Sequence, residues 1–207
     1  MAEFHLTVPL QEDEIKKLRI GDLVFFSGPA WTCRSRLHRY VFDEGHPLPF
    51  STRERNLLIH VGPVVLKEKG KWRLLSFTPT SSIRFEKWGP KSIHEWRLKA
   101  IIGKTTMGKS SMETMKEETC LHATPIGIIP NLYQDQIQIQ DAYWLEELGS
   151  IEAAWILKLK DLGPFLVDID CEGRNYFNEL DSKIAANRKK AYLRLGIPED
   201  FEYTKLY

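Results

Sequence analysis

Short apolar segments closed by glycine, proline or a hydroxyl residue recur along the chain, and they constrain its fold more than any other feature of the sequence. Each segment has the length of one buried strand and is too short for a long core helix. Gly28 and Pro29 are expected to end the first strand. The predicted strands cover residues 23–27, 57–61, 72–77, 99–103, 123–129, 152–159 and 165–169.

Helical patterns are fewer and do not alternate regularly with the strands. They cover residues 11–18, 32–42, 107–118, 144–149 and 181–194. Strands that outnumber helices, in a mixed order, favour an α/β or α+β domain with a mixed sandwich or barrel-like β-sheet core and flanking helices. In the terminal helix the expected apolar contacts are Ile184, Ala185, Tyr192 and Leu193.

Charge and cysteine content argue against several classes of protein. Lys and Arg number 29 against 28 Asp and Glu, so the net charge of +1 provides no basic field for nucleic acid. Cys33, Cys120 and Cys171 are widely spaced and include no CxxC pair, so the chain alone completes neither a zinc nor an iron–sulfur site. No signal-peptide pattern is evident and no apolar run approaches about 18 residues, which predicts a cytoplasmic protein without a membrane span.

Polar side chains suited to a small anion follow three of the predicted strands. A guanidinium binds a carboxylate through two parallel hydrogen bonds, and a lysine adds a mobile positive charge. Binding residues concentrate on loops that a rigid sheet holds in place. The sequence therefore predicts one anion site at the strand ends, and its candidate residues are Arg34, His38, Thr80, Ser81, Arg84 and Lys104.

Each candidate also has an ordinary structural interpretation. Thr80 suits a turn or a helix cap, as threonine hydroxyls commonly do. Arg84 suits a surface ion pair, and Lys104 a solvated strand end. His38 suits packing within its helix, and Cys33, like Cys120, suits a small buried apolar position. Single residues therefore do not decide between the two interpretations.

Six segments, taken in their order and spacing, are more informative about function than any single residue. They are Leu18-Arg19-Ile20-Gly21-Asp22, Thr32-Cys33-Arg34, His60-Val61-Gly62-Pro63, Pro79-Thr80-Ser81-Ser82-Ile83-Arg84, Ile102-Gly103-Lys104 and Asp168-Ile169-Asp170-Cys171-Glu172-Gly173-Arg174-Asn175. Together they resemble the β-subunit, or C-terminal domain, of the class I fumarase and L(+)-tartrate dehydratase family. The likeness covers about residues 6–177 of a single domain spanning 1–207, and a helical extension follows at about 181–196.

The resemblance implies a swivelling β/β/α domain and a hydro-lyase that adds or removes water on a small dicarboxylate of the fumarate/malate or tartrate type. It implies a [4Fe–4S] cluster bound by a partner α-subunit and not by this chain, in a hetero-oligomer of the α2β2 type; the isolated chain is expected to form a homo-oligomer. By the same resemblance, Thr80 corresponds to the catalytic base and Arg34, Arg84 and Lys104 bind the substrate carboxylates. His38 and Ser81 would support them.

Several positions depart from the family pattern, among them Ser81, which replaces a second threonine, and residues 129–133, which lack an expected glycine pair. Thr78 and Thr105 stand where glycine is usual, and Ser35 replaces the aspartate that normally follows the arginine. Losing that aspartate would remove a hydrogen bond that orients Arg34. These departures favour an alternative function, that of a non-catalytic anion-binding or assembly paralogue with the same fold.

Overall fold

The computed structural model describes residues 1–127, 130–198 and 200–202. Within them the strands are β1 Glu3–Thr7, β2 Leu23–Thr32, β3 Leu57–Ile59, β4 Val64–Glu68, β5 Lys71–Ser76, β6 Ala100–Ile102, β7 Leu121–Pro125, β8 Ile137–Tyr143 and β9 Ala154–Ile169. The α-helices are α1 Glu12–Ile15, α2 Ser35–Phe42, α3 Gly89–Glu95, α4 Lys109–Glu117, α5 Leu145–Leu148 and α6 Tyr176–Leu195. Two 3₁₀ helices, Ser82–Trp88 and Gln134–Gln136, complete the set.

Five strands close into a barrel-like ring. β2, β3, β6 and β7 run parallel in that order, and β9 pairs antiparallel with both β7 and β2, which closes the ring. β1 extends the sheet beside the first half of β2, and β8 extends it beside the first half of β9. The α/β class with a mixed, barrel-like sheet and flanking helices is confirmed.

The two long strands of the ring differ from the prediction. Gly28 and Pro29 do not end β2; they lie at an irregularity within it, where Gly28 has a φ of 106°. A Cβ at Gly28 would lie 2.7 Å from the carbonyl oxygen of Val8, so glycine permits β1 to pass close by. The segments predicted as separate strands at 152–159 and 165–169 form one strand, β9, because β2 pairs with it along most of its length.

Two apolar clusters lie on opposite faces of the ring strands. One gathers alternate residues such as Leu57, Ile59 and Ile102 with residues of β1 and α1. The other gathers the intervening residues, such as Leu58 and Ile101, with side chains of α2, α3 and α4. Both faces of the central strands are therefore buried, which is typical of parallel strands and explains their continuous apolar sequence.

Some elements escaped the sequence prediction. The strand predicted at 72–77 is present as β5, but its hairpin partner β4 was missed. The turn residues of this hairpin, Lys69 and Gly70, both have positive φ angles. That geometry fits a two-residue hairpin turn, but lysine is an uncommon residue for it and gave little sequence signal. Helix α3 and strand β8 were also missed. Of the strand predicted at 123–129, residues 128 and 129 lie outside the described residues, and β7 ends at Pro125.

The terminal helix α6 begins earlier than predicted and does not bury its apolar side chains. Asn175 caps its first turn by accepting hydrogen bonds from the backbone N–H groups of Phe177 and Asn178, and Gly196 ends it in the left-handed conformation. The expected contacts from Ile184 and Leu193 are wrong, because both side chains are exposed and no residue of the helix is buried. No described helix has the length and apolar character needed to span a membrane.

Candidate active site

The segment from Thr80 to Ser82 is inserted between the ends of the central strands β3 and β6. The N–H of Thr80 donates to the carbonyl of His60, just past β3, at 2.6 Å. On the other side, the N–H of Lys104 donates to the carbonyl of Thr80 at 3.1 Å, and the N–H of Ser82 donates to the carbonyl of Lys104 at 3.0 Å. The parallel strands thus hold this segment in a fixed register where their carboxyl ends meet.

Four of the six predicted site residues lie on this segment or directly beside it. Thr80, Ser81 and Lys104 are half-buried, and Arg84 is exposed on the first turn of the 3₁₀ helix Ser82–Trp88. Within the described part of the chain, the side chains of Thr80, Arg84 and Lys104 form no hydrogen bond or ion pair with another residue. One hydroxyl residue and two cationic residues therefore lie on or beside the segment at these strand ends, and their side chains have no partner among the described residues.

Arg34 reaches the same region from the start of α2. Its Nε lies 3.5 Å from Oε1 of Glu152, and both side chains are about four-fifths buried, with exposed fractions of 19% and 20%. The other oxygen of Glu152 accepts a hydrogen bond from the backbone N–H of Arg36 at 2.8 Å. Glu152 thus contacts Arg34 and the backbone beside it from a distant part of the sequence.

Gly62 leaves the space that the Arg34 side chain occupies. A Cβ at Gly62 would lie 2.8 Å from Nη1 of Arg34 and 2.5 Å from the backbone oxygen of Ile151. Gly62 follows His60 by two residues, and the carbonyl of His60 binds the backbone of Thr80. Arg34 therefore belongs to the same end of the ring as Thr80.

His38 lies beneath the surface, and its role there is one of packing. Its Nδ1 is 3.0 Å from the carbonyl oxygen of Arg34, and its ring stacks against Phe85 and Trp88 of the 3₁₀ helix. Burial lowers the pKa of His38 to about 4, so the imidazole is neutral near pH 7. His38 therefore connects α2 to the segment that carries Arg84, which places it behind the site.

A chain of four buried polar side chains lies behind Thr80, and the sequence prediction did not include it. Nδ1 of His122 is 2.6 Å from Oδ1 of Asp168, and Nε2 of His122 is 2.8 Å from Oγ of Ser82. The same Oγ is 2.8 Å from Nδ1 of His60. All four residues are at most 1% exposed. His60, Ser82 and Asp168 lie in segments that carry the family resemblance, but the sequence did not show that their side chains meet.

One of the departures from the family pattern has a visible conformational consequence. Thr105 has a φ of 68°, in the left-handed region that favours glycine and disfavours β-branched residues. The backbone at this position thus has a conformation that glycine would adopt without strain. Thr78, by contrast, is not among the described residues with positive φ.

The cysteines do not form a ligand set. Cys33 and Cys120 are buried, Cys171 is half-buried, and burial raises the pKa of each thiol. Across residues 1–127, 130–198 and 200–202, no group of three His, Cys, Asp or Glu side chains is placed to bind a metal ion. These residues therefore do not fit an iron–sulfur cluster held by this chain.

Comparisons with known proteins give a consistent family. A model of the family described as Fumarase C-terminus matches residues 1–180. The chain is 31% identical over 185 residues to the L(+)-tartrate dehydratase subunit beta of Escherichia coli strain K12, covering 89% of this chain and 90% of that protein. It is 30% identical over 179 residues to a putative L(+)-tartrate dehydratase subunit beta of Methanocaldococcus jannaschii, covering 84% and 91%.

A longer relative contains the same region as one part. The chain is 30% identical over 177 residues to a putative fumarate hydratase class I of Geobacillus stearothermophilus, and the match covers 85% of this chain but 34% of that protein. The region that is a separate subunit in the first two relatives is thus about one third of this one.

Proposed function

The chain belongs to the Fumarase C-terminus family, and we propose on that premise that it is the β-subunit of a hydro-lyase that acts on a small dicarboxylate. The observation that carries the proposal is the position of the Thr80 hydroxyl at the strand ends beside Lys104 and Arg84, whose side chains have no partner among the described residues. The names of the relatives support substrates of the tartrate and fumarate/malate type.

In the proposed reaction, Thr80 accepts the proton from the carbon next to one substrate carboxylate. The electron pair of the broken C–H bond first places negative charge on the adjacent carboxylate, and a fixed cation stabilises that charge more in the transition state than in the bound substrate. Arg84 and Lys104 would supply this stabilisation. The pair then forms the carbon–carbon double bond as the hydroxyl group on the neighbouring carbon departs. The departing hydroxide takes up the proton that Thr80 removed, so water leaves and Thr80 returns to its starting form.

A threonine hydroxyl is a weak base in water, so the proposal requires a positive and water-poor environment around Thr80. The cations on this chain provide the first condition. The half-exposed Thr80 and the exposed Arg84 do not meet the second, because both face solvent in the single chain. We therefore propose that an α-subunit covers this end of the ring, as the designation "subunit beta" in the relatives suggests.

The α-subunit is also the proposed carrier of a [4Fe–4S] cluster. The cysteines of this chain do not fit that group, so no step is assigned to the cluster here. The proposed assembly is a hetero-oligomer in which this chain provides the base and the carboxylate-binding cations.

The test uses this chain co-expressed with its α-subunit and assayed anaerobically on fumarate, malate and tartrate. Thr80→Ala is expected to lower kcat by about a hundredfold to ten-thousandfold, the usual contribution of a general base, with little change in substrate affinity. Arg84→Ala is expected to raise KM about tenfold to a hundredfold, because it removes a charge-assisted hydrogen bond. Arg188→Ala, an exposed arginine on α6, is the matched control and should change neither parameter.

Two results would contradict the proposal. A Thr80→Ala complex with full turnover would remove Thr80 from the role of base. A wild-type complex that binds dicarboxylates but turns none of them over would instead favour the non-catalytic paralogue.

A further inference from the structure

The buried chain Asp168–His122–Ser82–His60 has one direction of hydrogen bonding when both imidazoles are neutral and Asp168 is ionised. His122 donates from Nδ1 to the carboxylate of Asp168, which leaves its Nε2 to accept the hydroxyl proton of Ser82. The Ser82 oxygen then accepts a hydrogen bond from Nδ1 of His60. In this arrangement the serine hydroxyl both donates and accepts, so it has little freedom to rotate.

Burial supports the neutral form of His60. It lowers the pKa of His60 well below its usual value, and the nearby His38 and His122 lower it further. Burial raises the pKa of the Asp168 carboxyl, and its pairing with His122 opposes that rise.

Ser82 connects this chain to the proposed catalytic segment. Its backbone N–H binds the carbonyl of Lys104, and Lys104 in turn binds the carbonyl of Thr80. Its hydroxyl also lies against the backbone of Gly103, where an added Cβ would be 1.9 Å from Oγ. Ser82 is thus fixed by its side chain to β3 and β7 and by its backbone to the residue beside Thr80.

We propose that Ser82, His122 and Asp168 are positioning residues that hold Thr80 and Lys104 in their reactive places through the buried hydrogen-bond chain. The consequence for catalysis rests on the function proposed above, whereas the positioning itself rests on the buried contacts. Thr80 stays the group that reacts, and these three residues act only through the backbone that carries it.

Ser82→Ala tests the proposal, and Ser92→Ala is the matched control. Ser92 is also fully buried, but its hydroxyl donates to the carbonyl of Trp88 and takes no part in the chain. In Ser82→Ala, amide hydrogen exchange measured by NMR on the full chain is expected to accelerate at least tenfold at Thr80, Ser82 and Lys104. Amides of β9 should change much less, and Ser92→Ala should leave these three amides unchanged.

The kinetic measurement uses the complex with the α-subunit. Ser82→Ala is expected to lower kcat tenfold or more while KM for the dicarboxylate stays within about threefold, because Arg34 and Arg84 still bind the substrate while Thr80 and Lys104 are displaced. Exchange that accelerates equally throughout the chain, or as much in Ser92→Ala, would overturn the proposal. So would a Ser82→Ala complex with wild-type kcat in an active assembly.

Asp168→Asn keeps the test decisive if Ser82→Ala does not fold. This change preserves the size of the side chain and leaves Ser82 in place, and it should shift the ¹⁵N resonances of the His122 ring and accelerate exchange at Thr80. Unchanged resonances and exchange would overturn the proposal. A wild-type complex inactive on every dicarboxylate would refute the proposed function alone, since the exchange result still decides whether the chain positions Thr80.

Discussion

Gly103→Ala is expected to destabilise the fold strongly, because the added methyl group collides with the buried hydrogen-bond chain. The new Cβ would lie 1.9 Å from Oγ of Ser82, 3.2 Å from its Cβ and 3.1 Å from the carbonyl oxygen of Thr80. Serine must move, because the backbone of Thr80 is fixed by hydrogen bonds on both sides. Overpacking of this kind costs about 1–3 kcal/mol, and each imidazole left without its partner adds about 1–3 kcal/mol.

Taking the low end of each contribution, the loss is about 3 kcal/mol. For a chain of this length, 1 kcal/mol corresponds to about 2–4 °C, so the unfolding midpoint should fall by about 6–12 °C. Calorimetry of the full chain measures the shift. Gly127→Ala is the control, since its Cβ would meet no described atom within 4 Å and should change the midpoint by less than about 2 °C. A Gly103→Ala midpoint within 2 °C of the wild type would refute this account of how Ser82 packs.

Three further changes probe the site and its surroundings. Glu152→Gln removes the negative charge that competes with a substrate carboxylate for Arg34, but it keeps an acceptor for the backbone N–H of Arg36. The KM of the complex should therefore fall by about threefold to tenfold. An increase in KM would mean that the charge orients Arg34 instead. Thr105→Gly relieves a left-handed β-branched residue and should raise the unfolding midpoint by about 2 °C; an unchanged or lower midpoint contradicts this. Burial lowers the pKa of His38 from 6.5 to about 4, so its neutral form stabilises the fold above pH 6.5, and about 3 kcal/mol of the free energy of unfolding is lost as pH falls towards 4. The stability of His38→Gln, measured by urea unfolding, should therefore depend less on pH than that of the wild type. An equal dependence would exclude His38 as the cause.

The strands of the ring were predictable because both of their faces are buried. Leu57 to Ile59 and Ala100 to Ile102 read as apolar runs, and the polar residues that follow them mark the strand ends. The irregular parts were not predictable in the same way. Gly28 resembles a strand terminator in the sequence, and only the approach of Val8 explains why a strand passes through it. Ile184 fits an apolar helical stripe, although no described part of the chain covers it.

The residues of the candidate site also differ in whether the sequence could predict them. The sequence named Thr80, Arg84 and Lys104 because they lie in short segments that follow predicted strands, and the structure places them on or beside the segment held between β3 and β6. Their roles stay a prediction. The partners of Ser82 were not predictable, because His60, His122 and Asp168 come from three different strands or strand ends and meet only when the ring closes. Glu152 was missed for the same reason, since it lies far from Arg34 in the sequence.

The structure of the site argues for one rigid wall of a larger active site. Below Thr80, buried side chains and three backbone hydrogen bonds fix the segment in place. Above it, Thr80 is half-buried and Arg84 is exposed, so water can reach both in the single chain. A weak base needs its cations in a medium where their charge is poorly screened, because a unit charge at about 4 Å acts several times more strongly near a protein surface than in bulk water. The fold therefore supplies the position of the reacting groups, and the proposed α-subunit must supply the exclusion of water.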